Sequence, residues 1–383
     1  MGSGMKICFV GLDNLPVLAP EYRRELIGGE SVQQTLLARA LARRGHEVSM
    51  VTADYGQHDG AVWDGVRVYK AYGFDAGLPV LRFLHPRATG LWAALRRADA
   101  DLYYTSCAGA QVGLAAMFCA RHRRRLVFRA ASDADCDPAR LLIRYARDRW
   151  LYRYGLRHAD AVLVQSAFQA RTLERCYALP SRYAGMLVEA PAPPQRRDID
   201  VLWVSNIRPL KRPDRALRLA DWLPEAAIHM AGGPLRGEEA LYEEVERAAS
   251  ARPNITFHGR LPYAVAAALY DRARLLVNTS DVEGFPNAYL QAWIRGVPVV
   301  TLIDPDRVIE REGLGIAVRT PEGLPAAADA LLRQPVAWRA ASARCRAFMA
   351  REYGEEKILA PYFAAFDQAM RVGATAAGRL HHA

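Results

Sequence analysis

Short apolar runs alternate with longer amphipathic stretches along almost the whole chain, and this alternation restricts the fold more than any other feature. The short runs are typical of buried strands and the longer stretches of helices. Alternating strands and helices predict parallel sheets with right-handed crossovers, and hence an α/β protein with doubly wound domains. The predicted strands are Lys6–Val10, Glu47–Thr52, Leu102–Thr105, Arg125–Arg129, Ala161–Gln165, Val201–Ser205, Ala227–Ala231, Ile255–His258, Leu275–Asn278 and Val297–Leu302. The predicted helices include Ser31–Arg44, Ala110–Arg123, Ala139–Arg157, Ala167–Tyr177, Arg212–Trp222, Gly237–Ala251, Tyr263–Arg272 and Asn287–Arg295.

A polar, proline-rich segment over residues 188–198 interrupts this alternation. Such a segment is typical of a linker. The sequence therefore predicts one domain over 5–187, a linker over 188–198 and a second domain over 199–350. The length of 383 residues suits two domains of roughly 150–200 residues each. Ligands of doubly wound domains lie beyond the carboxyl ends of the strands, so a cleft between two such halves is the expected site.

The chain is basic, with 51 Lys and Arg against 41 Asp and Glu and a formal net charge of +10. The excess lies in separate stretches, and no aromatic-interleaved nucleic-acid motif accompanies it, which disfavours nucleic acid as a partner. Two alternatives remain, a face toward membrane or phosphate and an ordinary solvated surface. Aromatic residues such as Trp150 among the arginines of 144–157 favour a peripheral contact with anionic membrane, with a packed amphipathic helix as an equal alternative.

The cysteines and the apolar stretches indicate the cellular compartment of the protein. Six scattered cysteines without C-x-x-C spacing predict free thiols in a reducing cytosol, not a zinc site or a disulfide framework. The apolar run after Met5 stops at Gly11, which predicts a buried strand and not a signal peptide. The longest uncharged stretch, Leu102–Ala120, contains polar residues and predicts a strand and a buried helix instead of a membrane span. We therefore expect a cytoplasmic protein.

The first motif is Gly28-Gly29-Glu30-Ser31, at the start of a predicted helix. Paired glycines let the backbone approach a ligand, and free N–H groups at a helix N-terminus suit a phosphate. A purely structural turn is the alternative. The motif is neither a Walker loop nor a dinucleotide fingerprint, because the required Lys-Ser/Thr and G-x-G-x-x-G patterns are missing.

The second motif lies directly after the strand Val201–Ser205 and contains Arg208 and Lys211. An arginine fork and a lysine point charge at a strand end together suit a diphosphate. The alternative is a solvated basic turn.

The third motif runs from Asn278 to Val300 and places Glu283 on a glycine-containing turn between a strand and a helix. A carboxylate there suits sugar hydroxyls or positive charge that develops at an anomeric carbon. Gln291 follows about two helical turns later, near the same helix face. A plain polar turn is the alternative.

Segment Glu283–Val300 resembles the E-x7-E and G-x-P-V-V signature of family 4 glycosyltransferases. Four further segments, in the family's order, are similar to its other motifs: Gly28–Ser31 with Arg44–Val48, Ala159–Ser166, Gly232–Pro234 and Ile255–Pro262. The resemblance covers nearly the whole chain. It implies the GT-B fold, in which two Rossmann-like domains face each other across a cleft, and a C-terminal helix over 351–372 that crosses back to the first domain.

The resemblance also implies roles for individual residues. Glu283 would contact the donor sugar, and Arg208 and Lys211 would bind the diphosphate and stabilise it as it leaves. The other substrate-binding residues would be Gly28, Gly29 and Glu30 in the first domain and Gly233, Arg260, Gly284, Phe285, Pro286, Asn287 and Gln291 in the second. The family retains anomeric configuration and uses no catalytic metal and no cofactor beyond the nucleotide sugar itself.

Three departures from the family pattern concern the site. Gln291 replaces the second acid of E-x7-E, although an amide also bonds ribose hydroxyls. Ser205-Asn206 replaces the usual Gly-Arg, and Arg208 is the substitute arginine. Ala131 stands where the family often has a sugar-contacting His. The polar residues that would take over its contacts are Ser132, Asp133 and Asp135, with a solvent-exposed acidic turn as the alternative.

The sequence thus predicts a retaining glycosyltransferase that moves a hexose-type sugar from a nucleoside diphosphate to a glycan or lipid-linked acceptor in bacterial polysaccharide or glycoconjugate synthesis. It would be cytoplasmic, with a peripheral place on the inner face of the membrane as a further expectation. Two alternatives stay open, a nucleotide-sugar epimerase on the same fold and a non-catalytic nucleotide-sugar-binding protein.

Overall fold

The computed structural model describes residues 4–22, 28–79, 81–191, 193, 195–235 and 237–380, without the side chains of 372–380. Ala192 and Pro194 of the predicted linker lie outside the described residues. The chain forms two compact units. Unit 1 comprises Met1–Leu187 and Glu355–Ala383, and unit 2 comprises Val188–Gly354.

Unit 1 contains an eight-stranded sheet whose order is β3-β4-β2-β1-β5-β6-β7-β8. All neighbouring strands are parallel except the short hairpin partners β3 and β4. The strands are β1 Lys6–Val10, β2 Glu47–Thr52, β3 Val62–Trp63, β4 Val66–Lys70, β5 Leu102–Ser106, β6 Arg125–Arg129, β7 Ala161–Val164 and β8 Arg182–Tyr183. The helices between them are α1 Leu15–Leu18, α2 Gly29–Arg43, α3 Thr89–Ala98, α4 Ala110–His122, α5 Ala146–Arg157 and α6 Ala167–Tyr177.

Unit 2 contains a six-stranded, fully parallel sheet whose order is β11-β10-β9-β12-β13-β14. Its strands are β9 Ile199–Val204, β10 Ile228–Ala231, β11 Ile255–Phe257, β12 Ala273–Asn278, β13 Val299–Thr301 and β14 Gly315–Ala317. Its helices are α7 Pro213–Trp222, α8 Glu239–Ser250, α9 Tyr263–Arg272, α10 Asn287–Ile294, α11 Val308–Glu312, α12 Gly323–Arg333 and α13 Pro335–Glu352. The predicted parallel α/β architecture is thus confirmed in each unit.

The central strands are buried along their whole length because helices cover both faces of a parallel sheet. Every residue of β5 is buried, and so is every residue of β7. The predicted strand and helix within Leu102–Ala120 are confirmed as β5 and α4. In the part of the chain that the structure describes, no helix is both long enough and apolar enough to cross a bilayer.

The predicted helix Ala139–Arg157 is wrong in its first third, because α5 begins only at Ala146. In the preceding stretch Leu141 and Ile143 are buried whereas Leu142 and Arg144 are exposed. Such alternation has a period of two residues, as in extended chain, and an extended segment therefore replaces the first turns of the predicted helix.

The C-terminal helix α14 spans Glu355–Leu380 and packs on unit 1. The Tyr362 hydroxyl donates a hydrogen bond of 2.8 Å to the carbonyl of Gly185, and Arg44 forms ion pairs with Glu355 and Glu356 at the first turn. The predicted helix over 351–372 differs at its start, since Arg351 and Glu352 still belong to α13. The chain leaves unit 2 at Gly354, not at residue 350.

Helices α4 and α5 touch backbone to backbone because both carry glycine at the contact. A methyl group at Gly113 would lie 2.3 Å from the carbonyl oxygen of Leu151, and one at Gly155 would lie 2.5 Å from the carbonyl carbon of Val112. Neither position has room for a larger residue without a shift of one helix.

We predict that Gly113→Ala destabilises the protein by about 1–3 kcal/mol through overpacking. Alanine is intrinsically the better helix former by about 1 kcal/mol, but this gain is smaller than the cost of separating two backbones. Chemical denaturation followed by circular dichroism measures the change. Gly354→Ala is the matched control, because a methyl group there meets no atom within 4 Å. Equal stability of the two variants would contradict the proposed contact.

Candidate active site

The turns that follow four adjacent strands of unit 2 are joined by hydrogen bonds at one edge of the sheet. Parallel strands present their carboxyl ends at the same edge. The Gly232 N–H donates to the Gly259 carbonyl at 2.8 Å, which links the turns after β10 and β11. The Ile207 N–H donates to the Gly233 carbonyl at 2.8 Å, which links the turns after β9 and β10. The Asp281 N–H donates to the Leu210 carbonyl at 2.9 Å, which links the turns after β12 and β9. Residues predicted from four separate sequence segments therefore lie along one edge.

Glu283, after β12, is held by donors from two of these turns. Its Oε1 accepts hydrogen bonds from the Ser280 hydroxyl at 2.7 Å and the Asn278 amide at 3.3 Å, and the same oxygen forms an ion pair with Lys211 after β9. The Lys211 and Glu283 side chains are 14% and 13% exposed, so water screens this pair less than a surface pair. All three of these contacts are made by the same oxygen, Oε1.

Arg208 supplies a second cation close to this pair in sequence, and one of its donors has no acceptor in the described part of the chain. Its Nε is buried and has no hydrogen-bond partner among the described residues. Two other arginines of the same segment do pair with acids: Arg212 with Asp214 at 2.8 Å, and Arg215 with Asp281 at 2.6 Å. A buried N–H group without an acceptor is costly, and an anion would supply a charge-assisted acceptor for it.

Gly233 and Arg260 are also in contact, after β10 and after β11. A methyl group at Gly233 would lie 2.6 Å from Nε of Arg260, so glycine allows the arginine side chain to lie against this turn. Arg260 is an exposed residue. The structure therefore brings these two predicted residues together on the strand-end edge.

The turn Gly284-Phe285-Pro286 leads into α10, which begins at Asn287. The Phe285 ring meets the buried Trp293 ring edge to face, with centroids 6.1 Å apart, and this contact fixes the turn against the helix. The first N–H groups of α10 follow directly, and they form the positive end of the helix dipole.

Gln291 lies in a buried polar chain, where protein groups already occupy its amide. Its Oε1 accepts from Arg295 at 2.8 Å and its Nε2 donates to the Tyr263 hydroxyl at 2.9 Å. Arg295 also pairs with Asp271 at 2.8 Å, and the side chains of this pair are only 6% and 5% exposed. The contact of Gln291 with ribose remains a prediction, and in this conformation Tyr263 occupies the amide nitrogen.

In unit 1 the Gly28-Gly29 turn leads into α2, and Glu30 in the first turn of that helix forms an ion pair with Arg129 at the end of β6. The two atoms are 3.0 Å apart, and the Arg129 side chain is fully buried. Burial raises the pKa of Glu30 above its usual value, and the nearby Arg129 offsets only part of this increase. Within the described residues, Nε and Nη2 of Arg129 and Oε1 of Glu30 have no hydrogen-bond partner.

Arg129 was not predicted as a site residue, although the sequence held a signal for it. The strand Arg125–Arg129 has an arginine at each end, and Arg129 directly follows its apolar residues Leu126–Phe128. Charged residues are almost never fully buried unless paired. The position at the carboxyl end of a central strand was therefore sufficient to suggest an acidic partner, but only the structure identifies Glu30.

The turn after β6 uses its polar residues to shape itself. Asp135 accepts backbone hydrogen bonds from Ala131 at 2.8 Å and Ser132 at 3.0 Å, and burial raises its pKa to about 6. The Ser132 hydroxyl caps the following 3-10 turn, and Asp133 accepts from Gln169 at 3.1 Å. Their predicted contacts with substrate remain predictions, and the local hydrogen bonds by themselves account for Ser132 and Asp135.

The structure groups the predicted residues by unit. Glu283, Lys211, Gly233 and Arg260 lie on the strand-end edge of unit 2, whereas Gly28, Gly29 and Glu30 belong to unit 1. Among the residues described, no three His, Cys, Asp or Glu side chains are arranged to hold a metal ion.

Comparison with protein families gives a match in each unit. The model described as "Glycosyl transferase 4-like domain" matches residues 28–184, and the model described as "Glycosyl transferases group 1" matches residues 199–334. Together the two models cover most of both parallel sheets. A comparison with curated proteins found no significant match.

Solved structures with the same fold extend over nearly the whole chain. Sucrose-phosphate synthase from Thermosynechococcus elongatus has a TM-score of 0.72 at 16% identity, over 98% of this chain and 99% of that one. The catalytic domain of starch synthase IV from Arabidopsis thaliana, bound to ADP and acarbose, has 0.70 at 12% identity, over 96% and 99%. HepE from Anabaena, in complex with UDP and glucose, has 0.68 at 14% identity, over 97% and 99%. At such identities the likeness establishes the two-domain GT-B fold.

The buried chain around Gln291 gives a stability prediction. Asp271→Ala leaves the Arg295 cation buried without its carboxylate, which we expect to destabilise the protein by about 3–5 kcal/mol. Urea denaturation measures the change. Asp329→Ala is the control, since it removes an exposed partner of Arg333 at a similar distance of 2.6 Å and should have no measurable effect. Similar losses in both variants would show that burial does not determine the strength of the Asp271 pair.

Proposed function

We infer the function of this chain from the premise that it belongs to the group 1 glycosyltransferases, as its two domain matches establish. The chain is therefore a glycosyltransferase of GT-B type. We propose that it is a retaining enzyme, which transfers a hexose-type sugar from a nucleoside diphosphate to a glycan or lipid-linked acceptor.

The observation that carries the proposal is the contact between Lys211 and Glu283 at the strand-end edge of unit 2, close to Arg208, whose buried Nε has no acceptor among the described residues. A glycosyl nucleoside diphosphate has two chemically different parts, an anionic diphosphate and a neutral sugar. Arginine and lysine suit the first, and a carboxylate that accepts hydroxyl hydrogen bonds suits the second. This edge offers both kinds of group within one side-chain contact.

In the proposed reaction the bond between the anomeric carbon and the β-phosphate oxygen breaks, and a bond from the acceptor oxygen forms on the same face of the sugar. The acceptor proton passes to the departing phosphate oxygen, so charge and atoms balance. Negative charge grows on the diphosphate as it leaves, and Arg208 and Lys211 stabilise it. Lys211 would turn from Glu283 toward the phosphate, and the released carboxylate would hold the sugar hydroxyls.

Related structures support the type of ligand. HepE is in complex with UDP and glucose, and starch synthase IV is bound to ADP and acarbose. These ligands belong to those proteins, and they motivate our proposal that this chain also uses a nucleotide sugar and a saccharide acceptor. We place the reaction in bacterial polysaccharide or glycoconjugate synthesis, in the cytoplasm or at the inner face of the membrane, without a metal or further cofactor.

Two alternatives lead to different products. A nucleotide-sugar epimerase would convert the donor without an acceptor, and it would need an acid and a base around the sugar. A non-catalytic nucleotide-sugar-binding protein, which Gln291 and Ala131 motivate, would bind the donor without turnover. Donor consumption with and without added acceptor separates both alternatives from the proposed transferase.

We predict that one of the nucleoside diphosphates UDP, GDP, ADP, TDP and CDP stabilises the protein against heat without added metal. A ligand at about a hundred times its dissociation constant adds about 2.7 kcal/mol of stability. Differential scanning fluorimetry should show this shift for the wild type, and Lys211→Ala and Arg208→Ala should lose it because each removes a diphosphate contact.

Arg339→Ala is the matched control, since Arg339 is an exposed arginine of unit 2 far along the chain from these turns. It should retain the wild-type shift. If no nucleotide shifts the melting temperature, or if Lys211→Ala and Arg208→Ala keep the full shift, the assignment of the donor site is wrong. Glu283→Gln should keep the nucleotide shift and lose sugar transfer.

A further inference from the structure

Unit 1 carries a group of large apolar side chains that are exposed to solvent. Six of them, each more than half exposed, lie in two parts of the sequence: Leu78, Leu81, Leu84, Leu142, Tyr145 and Trp150. We call these six residues the docking patch. Single exposed apolar residues are normal on a protein surface, but a group of this kind marks an interaction site.

A cation–π contact joins the two parts of the patch. The guanidinium carbon of Arg147, in the first turn of α5, lies 3.3 Å from the centroid of the Phe83 ring. Phe83 is the neighbour of Leu84 in sequence, and Arg147 stands between Tyr145 and Trp150. The leucines before α3 and the aromatic residues around the start of α5 are therefore neighbours in space.

The Trp150 ring stacks on Tyr154 with centroids 5.7 Å apart, but the burial pattern does not require an apolar residue at position 142 or 150. In the extended stretch before α5, Leu142 points outward between Leu141 and Ile143, which are both buried. On α5 itself Trp150 is exposed, whereas Leu151 directly after it is buried. A polar residue at either exposed position would satisfy the same alternation, so the core of unit 1 does not require the patch.

The patch lies within a strongly basic surface. Residues 139–158 contain six arginines and a single acid, Asp148, which gives a formal charge of +5 from these groups. The arginines are Arg140, Arg144, Arg147, Arg149, Arg153 and Arg157, and every one of them is exposed. Asp148 already accepts from Arg147 at 2.7 Å. The partner of this surface must therefore be both apolar and anionic.

We propose that the docking patch binds the surface of an anionic lipid bilayer. The leucines and Trp150 would enter the boundary between headgroups and acyl chains, and the arginines would contact lipid phosphates. Tyr and Trp rings prefer this boundary because one part of each ring system is apolar and another is polar. A bilayer offers apolar and anionic groups over a continuous area, as the separated leucines and arginines require, and this favours lipid over an acidic protein.

The inference rests on the proposed function only for its location at the inner face of the membrane. Binding to lipid does not involve Lys211 or Glu283, so it can be measured independently of the donor site. Co-sedimentation tests it, with vesicles of phosphatidylglycerol mixed into phosphatidylcholine and with vesicles of phosphatidylcholine alone. We expect binding to the mixed vesicles only, and weaker binding as the salt concentration rises.

Variants of the docking patch and its arginines separate the apolar from the electrostatic contribution to vesicle binding. Arg140→Ala and Arg144→Ala should each weaken binding about fivefold, the effect of one basic residue near an anionic surface. Leu81→Asp combined with Leu142→Asp should abolish it. The controls in unit 2 are Arg247→Ala and Val336→Asp, which change an exposed arginine and an exposed apolar residue outside the patch, and they should bind as the wild type does.

Three outcomes would overturn the proposal: no binding to the mixed vesicles, equal binding to phosphatidylcholine alone, or wild-type binding by the patch variants. The nucleotide-induced thermal shift, measured on the same variants, monitors the donor site. Loss of vesicle binding with an intact shift attributes the effect to the patch, whereas an absent shift in the wild type bears on the proposed function alone.

Discussion

Burial of the parallel strands on both faces confines the polar chemistry of this chain to the turns beyond the strand ends. The middle of each sheet consists of side chains such as Phe9, Tyr104 and Trp203, which are shielded from water. A charged group there would lose its hydration without a ligand to replace it. Glu283 and Lys211 of unit 2 therefore lie in turns that follow strands, and Arg129 of unit 1 is the last residue of β6.

The same constraint explains why ion pairs with different degrees of burial have different consequences. Arg295 and Asp271 are closed off from solvent and serve the packing of α10 against α9. Lys211 and Glu283 retain some exposure, so a ligand is able to compete for either partner. Because Lys211 and Glu283 pair with each other, neither of these partly buried charges is left without a partner.

The sequence was sufficient for what depends on long apolar runs and insufficient for what depends on tertiary contacts. Ten of the fourteen strands were predicted from those runs, and β3, β4, β8 and β14 were missed. Strands β3 and β8 have only two residues each, and in β4 the buried Val66 and Val68 flank an exposed Arg67 and form no continuous apolar run. Glu283 and Lys211 were predicted one by one, and their contact required the register of β9 beside β12. The position of Arg129 at a strand end suggested an acidic partner, but that partner, Glu30, lies 99 residues away in the chain, and only the structure identifies it.

The amide of Gln291 determines the direction of the hydrogen bond that it forms with Tyr263. Arginine has only N–H donors, so Arg295 must meet the amide oxygen of Gln291. The NH₂ group of the amide therefore points at the Tyr263 hydroxyl. The phenol oxygen accepts that bond, and its own proton is directed toward some other acceptor. A glutamate at this position would take the proton for itself. Because residue 291 is an amide and not an acid, the Tyr263 hydroxyl accepts a hydrogen bond from it. The hydroxyl proton of Tyr263 is therefore left to donate to another group.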